Sequence, residues 1–116
     1  MIGKGKIYVV VNKDLKMSSG KVAAQVAHTV ARLEMGIPHV VIVLEGTTDQ
    51  LWGLDRYLQY TPYCGEVYID EGANEVPPMS PTALAFGMVE EDEYPDFVQG
   101  LELYKEKKTW LKKFYS

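Results

Sequence analysis

The chain is poor in cysteine: Cys64 is the only one among its 116 residues. A disulfide within the chain is therefore excluded, and a cysteine-based metal cage would need ligands from elsewhere. The first residues lack the apolar core of a secretory signal, and no apolar run approaches the length that crosses a bilayer. Together these absences predict a cytoplasmic protein with no membrane contact.

Two familiar kinds of site are also missing from the sequence. The two histidines, His28 and His39, do not have the spacing of a metal site, and there is no glycine-rich phosphate loop of the Walker kind. We therefore expect neither metal binding nor nucleotide hydrolysis.

Positive charge is absent from a long middle stretch, because no Lys or Arg occurs between Tyr57 and Tyr104. The net charge is −4, and lysines crowd the two ends of the chain: Lys4, Lys6, Lys13, Lys16 and Lys21 at one end, and Lys105, Lys107, Lys108, Lys112 and Lys113 at the other. A polyanionic partner therefore has to bind on surface built from both ends. Charge kept for solubility is the simpler explanation of either cluster taken alone.

Short apolar runs alternate with helical patterns along the chain. Four β-branched or apolar runs predict strands, at 6–11, 39–44, 66–69 and 82–87. Apolar residues at helical spacing predict two helices, one capped by Ser18 or Ser19 that reaches Leu33 and one capped by Thr47 or Thr48 that covers 50–58. The acidic run from Glu90 to Glu93 suits the N-terminus of a third helix, from about Pro95 to Tyr104. The pattern is typical of a single α/β layered domain, a four-stranded mixed β-sheet flanked by helices on both faces. We expect it to span 1–116, with 105–116 as a lysine-rich C-terminal extension.

Two polar loops follow predicted strands and are expected at one edge of the sheet. Asp14 to Lys21 follow the first strand, and Asp70 to Pro81 follow the third. Ligands of such sheets bind beyond the carboxyl ends of the strands. Lys21 and Gln25 are four residues apart, so both can point from one helical face towards Asp70.

The first of these loops carries a string that is specific enough to compare with a known family. Asp14-Leu-Lys-Met-x-x-Gly-Lys-Val-Ala-Ala-Gln-x-x-His28 resembles the signature of the class-two peptidyl-tRNA hydrolases, the archaeal and eukaryotic type. A second block, Asp70-x-Gly72 followed by Val76-x-Pro78-x-Ser80-x-Thr82-x-Leu84-x-x-Gly87, is similar to the family's Asp-Ala-Gly loop and the strand after it. The resemblance extends to about Tyr104.

The resemblance implies hydrolysis of the ester between a peptide and the 3′ end of tRNA, without a metal or other cofactor. The implied catalytic residues are Lys21, Gln25, Asp70 and Thr82, and we add Asn74, which stands in place of the family's threonine, as a fifth candidate. In this hypothesis Lys21 stabilises the oxyanion, Asp70 accepts a proton from water, and the other three arrange water and ester. His28, Lys13, Lys16 and Ser19 are candidates for binding the substrate, and a homodimer is possible.

The second loop departs from the family pattern at three adjacent positions. Ala73 replaces the family's arginine, Asn74 its threonine and Glu75 its glutamine, and Ser18-Ser19 stands where many members have Gly-Lys. These changes favour two alternatives to the main hypothesis. One is a relative that has lost turnover and acts as a binding or regulatory module, and the other is a hydrolase of a different acyl ester or amide.

Overall fold

The described part of the chain forms five strands and two helices in the order β1–α1–β2–α2–β3–β4–β5. The computed structural model describes residues 5–72 and 75–105. The elements have these bounds: β1 Gly5–Asn12, α1 Ser19–Leu33, β2 Val40–Gly46, α2 Thr48–Leu58, β3 Cys64–Asp70, β4 Ser80–Glu90 and β5 Glu102–Leu103. Two single-turn 3₁₀ helices, Lys13–Leu15 and Asp96–Val98, complete the described chain.

The sheet is mixed, and its strand order is β3-β4-β1-β2-β5. The central pair β1 and β2 is parallel, whereas β4 is antiparallel to both β1 and β3, and β5 is antiparallel to β2. The carboxyl ends of β1, β2 and β3 therefore meet the amino end of β4 at one edge. At this edge the buried Asn12 side chain donates to the Pro81 carbonyl at 2.8 Å and to Thr48 Oγ1 at 2.9 Å.

The predicted helix over 95–104 is wrong, and its correction explains why the sheet has five strands instead of four. The segment forms the 3₁₀ turn and then β5, in which Leu103 pairs with Leu44. Gly100 would weaken a helix over this segment at its centre. Without β5, the outer side of β2 would present unpaired backbone N–H and C=O groups. The backbone N–H of Tyr104 accordingly donates to the Val43 carbonyl at 2.9 Å. Residues 106–116, nearly all of the predicted extension, lie outside the described residues.

The helices pack on opposite faces of the sheet, as predicted. Ile7, Val9 and Val11 of β1 share a core cluster with Val22 of α1, whereas Tyr8 and Val10 belong to a second cluster with Leu51, Leu54 and Leu58 of α2. This alternation is the two-residue period of a strand buried on both faces. No helix in the described part of the chain is long and apolar enough to span a membrane.

Hydroxyl side chains start both helices. Ser18 caps α1 by accepting a hydrogen bond from the Lys21 backbone N–H, and Thr47 forms a capping box with Gln50 at the start of α2. Each cap satisfies backbone donors that the first turn of a helix leaves without partners. The Ser18 cap thereby places Lys21 in the first turn of α1, at the carboxyl edge of the sheet.

Candidate active site

The site is built around an ion pair between α1 and β3. Lys21 Nζ donates to Asp70 Oδ2 at 2.8 Å, and the two side chains are only 11% and 10% exposed. One helical turn further along α1, Gln25 Nε2 donates to the same Oδ2 at 3.1 Å. The spacing of four residues that the sequence shows therefore brings both donors onto one carboxylate oxygen, as expected.

Thr82 fixes the direction in which the Gln25 amide points. Thr82 Oγ1 donates to Gln25 Oε1 at 2.8 Å, so the amide nitrogen is left to face Asp70. Both residues are buried, with Gln25 2% exposed and Thr82 fully covered. Four predicted residues thus form one hydrogen-bonded network: Lys21, Gln25, Asp70 and Thr82.

A β-bulge brings Thr82 to this side of the sheet. Tyr68 pairs with Ala83 and Ile69 with Pro81, so Thr82 is an extra residue on β4. In an unbroken strand Thr82 would share a face with Leu84, which packs in the core cluster on the α2 side. The bulge instead lets Thr82 reach Gln25 on α1.

The surroundings of Asp70 favour its ionised form. The hydrogen bond from Lys21, followed by that from the Gly72 backbone N–H, lowers the pKa of the Asp70 carboxyl, although burial opposes the shift. Gly72 N lies 2.6 Å from Asp70 Oδ1. Oδ2 thus accepts two hydrogen bonds and Oδ1 one, which leaves Oδ1 able to accept another.

The backbone that supplies the Gly72 N–H requires a glycine. Its φ is +82°, and a Cβ built there would lie 2.5 Å from the backbone of Pro78. Residues other than glycine are strained at this φ, and the contact with Pro78 leaves no room for a side chain. The Asp70-x-Gly72 motif therefore reflects how the loop turns back on the carboxylate.

The model of the family described as peptidyl-tRNA hydrolase PTH2 matches residues 5–104 of this chain. The chain belongs to the PTH2 family. A relative from Pyrobaculum aerophilum, described as a peptidyl-tRNA hydrolase, is 31% identical over 119 aligned residues, which cover 86% of this chain and 98% of the relative. The family match spans all the described strands and both helices, so the resemblance predicted from the two sequence blocks is confirmed.

This PTH2 chain ties the loop after Asp70 to the start of α1 through Glu75. Glu75 Oε1 accepts from the Ser18 backbone N–H at 3.2 Å, and Oε2 accepts from Ser18 Oγ at 2.9 Å. The sequence marks Glu75 only as a departure from the family pattern, and its contact with Ser18 was not predicted. Two features of the sequence could have predicted this contact: the carboxylate of Glu75, and the serine that caps α1. Helix N-termini favour anions, so the two can be expected to meet.

A cleft of about 530 Å³ adjoins the first turn of α1. Three predicted substrate-binding residues of the PTH2 chain line it, namely Lys13, Lys16 and Ser19, together with Tyr104 and Lys105. Lys21 and Asp70 do not line this cleft; its α1 residues include Val22, which packs against β1. The cleft therefore lies on one side of the first turn of α1, and the Lys21–Asp70 ion pair lies on another side of the same turn.

The structure describes His28 but not Asn74, the last two residues predicted for the site. His28 lies on the stripe of α1 that carries Lys21 and Gln25, but it is exposed, and its ring stacks on Tyr68 of β3. Asn74 lies outside the described residues. The described residues contain no group of three His, Cys, Asp or Glu side chains that could hold a metal ion.

Proposed function

We propose that the Lys21–Asp70 pair catalyses hydrolysis of the ester that joins a peptide to tRNA. The PTH2 family and the archaeal relative support peptidyl-tRNA hydrolysis as the activity of this chain. The observation that carries the assignment to these residues is the one acceptor site left on the carboxylate: Asp70 accepts from Lys21, Gln25 and Gly72 and can still accept on Oδ1.

In this proposal a water molecule occupies the free acceptor site of Asp70 Oδ1. Attack of the water on the ester carbonyl forms a new C–O bond, and the resulting oxyanion is stabilised by the Lys21 ammonium group. Asp70 accepts a proton from the water, and collapse of the intermediate breaks the bond to the ribose oxygen, which takes up that proton. The products are a peptide with a free carboxyl group and tRNA with a free hydroxyl group.

Lys21 lowers the pKa of Asp70, which makes the resting carboxylate a weak base. We propose that a movement of the Lys21 side chain restores the basicity of Asp70. As Lys21 turns from Asp70 to the developing oxyanion, the carboxylate loses the hydrogen bond that contributes most to the lowered pKa. Its basicity therefore rises at the step at which the water has to lose a proton.

Gln25 and Thr82 are positioning residues in this scheme. The hydrogen bond from Thr82 Oγ1 keeps the Gln25 amide nitrogen on Asp70 Oδ2. Gln25 thereby continues to hold the carboxylate through Oδ2 when Lys21 leaves. We also assign the arrangement of water or ester to Asn74, because its amide can donate and accept hydrogen bonds in place of the family's threonine hydroxyl.

The cleft beside α1 fits the phosphates of the tRNA substrate. Lys13, Lys16 and Lys105 supply positive charge, and Ser19 supplies a hydroxyl group next to the N-terminus of α1. Such groups bind phosphate oxygens through charge and hydrogen bonds. We infer that these residues, together with His28, bind the substrate.

A homodimer and a cytoplasmic location also belong to this proposal. Ile37, Val40 and Val41 are exposed near the start of β2, at 60%, 40% and 39%. A second copy of the chain would remove this apolar surface from water.

The test is hydrolysis of a purified peptidyl-tRNA by the wild type, Lys21→Met and Asp70→Asn. We expect turnover by the wild type and at least a 100-fold loss of kcat in both variants, because each removes one half of the acid–base and oxyanion machinery. Circular dichroism checks that the variants are folded. Absence of wild-type turnover would contradict the activity and favour a binding module, whereas turnover in both folded variants would contradict the assignment of the site.

A further inference from the structure

A ladder of paired side chains runs away from the ion pair along the groove between α1 and β3. Lys21, His28 and Arg32 follow one stripe of α1, because the spacings of seven and four residues return to the same face. Asp70, Tyr68 and Glu66 alternate along β3 in the same way. The rungs are Lys21 with Asp70, His28 with Tyr68 and Arg32 with Glu66.

The middle rung is a stacked pair of aromatic rings. The centroids of His28 and Tyr68 are 5.3 Å apart, and the ring planes are within 7° of parallel. His28 is exposed, and its helical neighbours Ala24, Ala27 and Ala31 are small. The large neighbours of His28 on α1 have partners towards the groove, since Gln25 donates to Asp70 and Arg32 pairs with Glu66.

The position of the stack suits a group attached to the ribose whose ester is cleaved. Tyr68 is two residues from Asp70, which corresponds to about 7 Å along β3. His28 is seven residues from Lys21, which corresponds to about 10 Å along α1. These distances are comparable with the separation between the ester oxygen of a ribose and the far side of the base on that ribose.

We propose that the His28–Tyr68 stack is the binding platform for the unpaired 3′-terminal base of the tRNA substrate. The inference rests on the proposed function, because it places the ester at Lys21. Stacking of an unpaired base on an aromatic ring strengthens binding by roughly 10-fold or more.

A base fits this platform better than a side chain of the peptide does. The last rung, Arg32 Nη2 to Glu66 Oε1 at 2.7 Å, is about half exposed, and the Arg32 guanidinium lies 5.7 Å from the centre of the Tyr68 ring. The surroundings are thus flat, charged and open, whereas apolar side chains bind in concave apolar pockets. A guanidinium beside a ring also suits a nucleotide, since it can contact a phosphate or stack on a base.

The test compares two substrates that differ only in the terminal base. Both carry the same peptide and ester, but one has an abasic 3′-terminal nucleotide. We expect wild type to have a KM about 10-fold higher for the abasic substrate, with a similar kcat. His28→Ala is expected to raise KM for the complete substrate by the same factor and to abolish the discrimination, whereas His28→Phe retains it. His39→Ala is the matched control, because His39 is exposed and pairs with Glu91 outside the groove, and it should behave as wild type.

A binding measurement separates the platform from the catalytic proposal. Deacylated oligonucleotides with and without the terminal base are titrated against wild type and His28→Ala, and this comparison needs no turnover. Discrimination by wild type that is lost in His28→Ala supports the platform even if no substrate is hydrolysed, in which case only the proposed function fails. The platform is overturned if wild type does not discriminate between the two oligonucleotides or if His28→Ala still does.

Discussion

At the scale of single residues, the site depends on the number of donors that converge on Asp70. Lys21, Gln25 and the Gly72 backbone donate three hydrogen bonds to a carboxylate whose residue is only 7% exposed. Hydrogen bonds to the charged form lower the pKa of Asp70 more than burial raises it. The contacts that hold the carboxylate in the candidate site therefore also stabilise the fold at neutral pH.

The lowered pKa of Asp70 predicts how stability varies with pH. Asp70→Asn is expected to lower the free energy of unfolding by about 2 kcal/mol at neutral pH, the size of a hydrogen bond to a charged group. A lowered folded-state pKa gives stability that is complete above the unfolded carboxyl pKa, near 4, and is lost as the pH falls through the folded value. The difference between variant and wild type should therefore shrink below about pH 4.

Urea unfolding at neutral and acid pH measures this difference. Asp92→Asn is the control, because Asp92 is an exposed aspartate distant in sequence from the site. Equal costs of Asp70→Asn at both pH values, or a cost no larger than that of Asp92→Asn, would show that the charged network does not stabilise the fold.

At the scale of elements, the sequence predicts the strands and helices that have a regular residue pattern. It does not predict the features that form only through contact with a neighbouring strand. The buried strands and the first two helices have clear sequence patterns, and the spacing of Lys21 and Gln25 predicts that the two share one helical face. Their assignment to the site came from the family resemblance. β5 has only two residues, so no periodicity can reveal it, and it forms because the edge of β2 accepts it. The bulge at Thr82 is equally hidden, because it is a property of the β3–β4 register. Thr82 entered the candidate site through the family resemblance alone.

The contact between Glu75 and Ser18 predicts a change in substrate affinity. Glu75→Gln retains an oxygen that can accept from the Ser18 backbone N–H and adds an amide that can donate to Ser18 Oγ, while removing a negative charge at the start of α1. We expect a several-fold lower KM for peptidyl-tRNA at low salt and a smaller difference at high salt, because charge repulsion is screened.

Steady-state kinetics over a range of salt concentrations test this prediction. Glu75→Ala serves as the comparison, since it removes the charge and the contact together and is expected to lower kcat by loosening the loop after Asp70. If Glu75→Gln raises KM, the carboxylate helps to bind substrate and the electrostatic interpretation is wrong.

At the scale of the whole molecule, folding gathers charges that are far apart in sequence. Lys13 and Lys16 line the same cleft as Lys105, although the chain has a net charge of −4. The sequence predicts that a polyanion has to bind on surface from both ends of the chain, and one residue of the second cluster, Lys105, lies at this cleft with Lys13 and Lys16. The cleft also contains Glu45, so its lining carries three lysines and one carboxylate. In the proposed function this local excess of positive charge attracts the tRNA.

The combined substitution Lys13→Gln and Lys16→Gln is predicted to weaken substrate binding. We expect KM for peptidyl-tRNA to rise about 10-fold at low salt and the slope of log KM against log salt to fall by about 1.5, because two phosphate contacts are lost. Arg56→Gln is the control, since Arg56 is exposed on α2 at the opposite face of the sheet. An equal effect of Arg56→Gln would mean that overall charge, not the cleft, attracts the substrate.

The central claim is that Lys21 and Asp70 act as one catalytic unit, and a double-mutant cycle tests it most directly. Values of kcat/KM for peptidyl-tRNA are measured for the wild type, Lys21→Met, Asp70→Asn and the double variant. Residues that act as a unit are strongly non-additive, so the double variant should be about as slow as the slower single variant. Losses that simply multiply in the double variant would show that the two residues contribute independently and would contradict the claim.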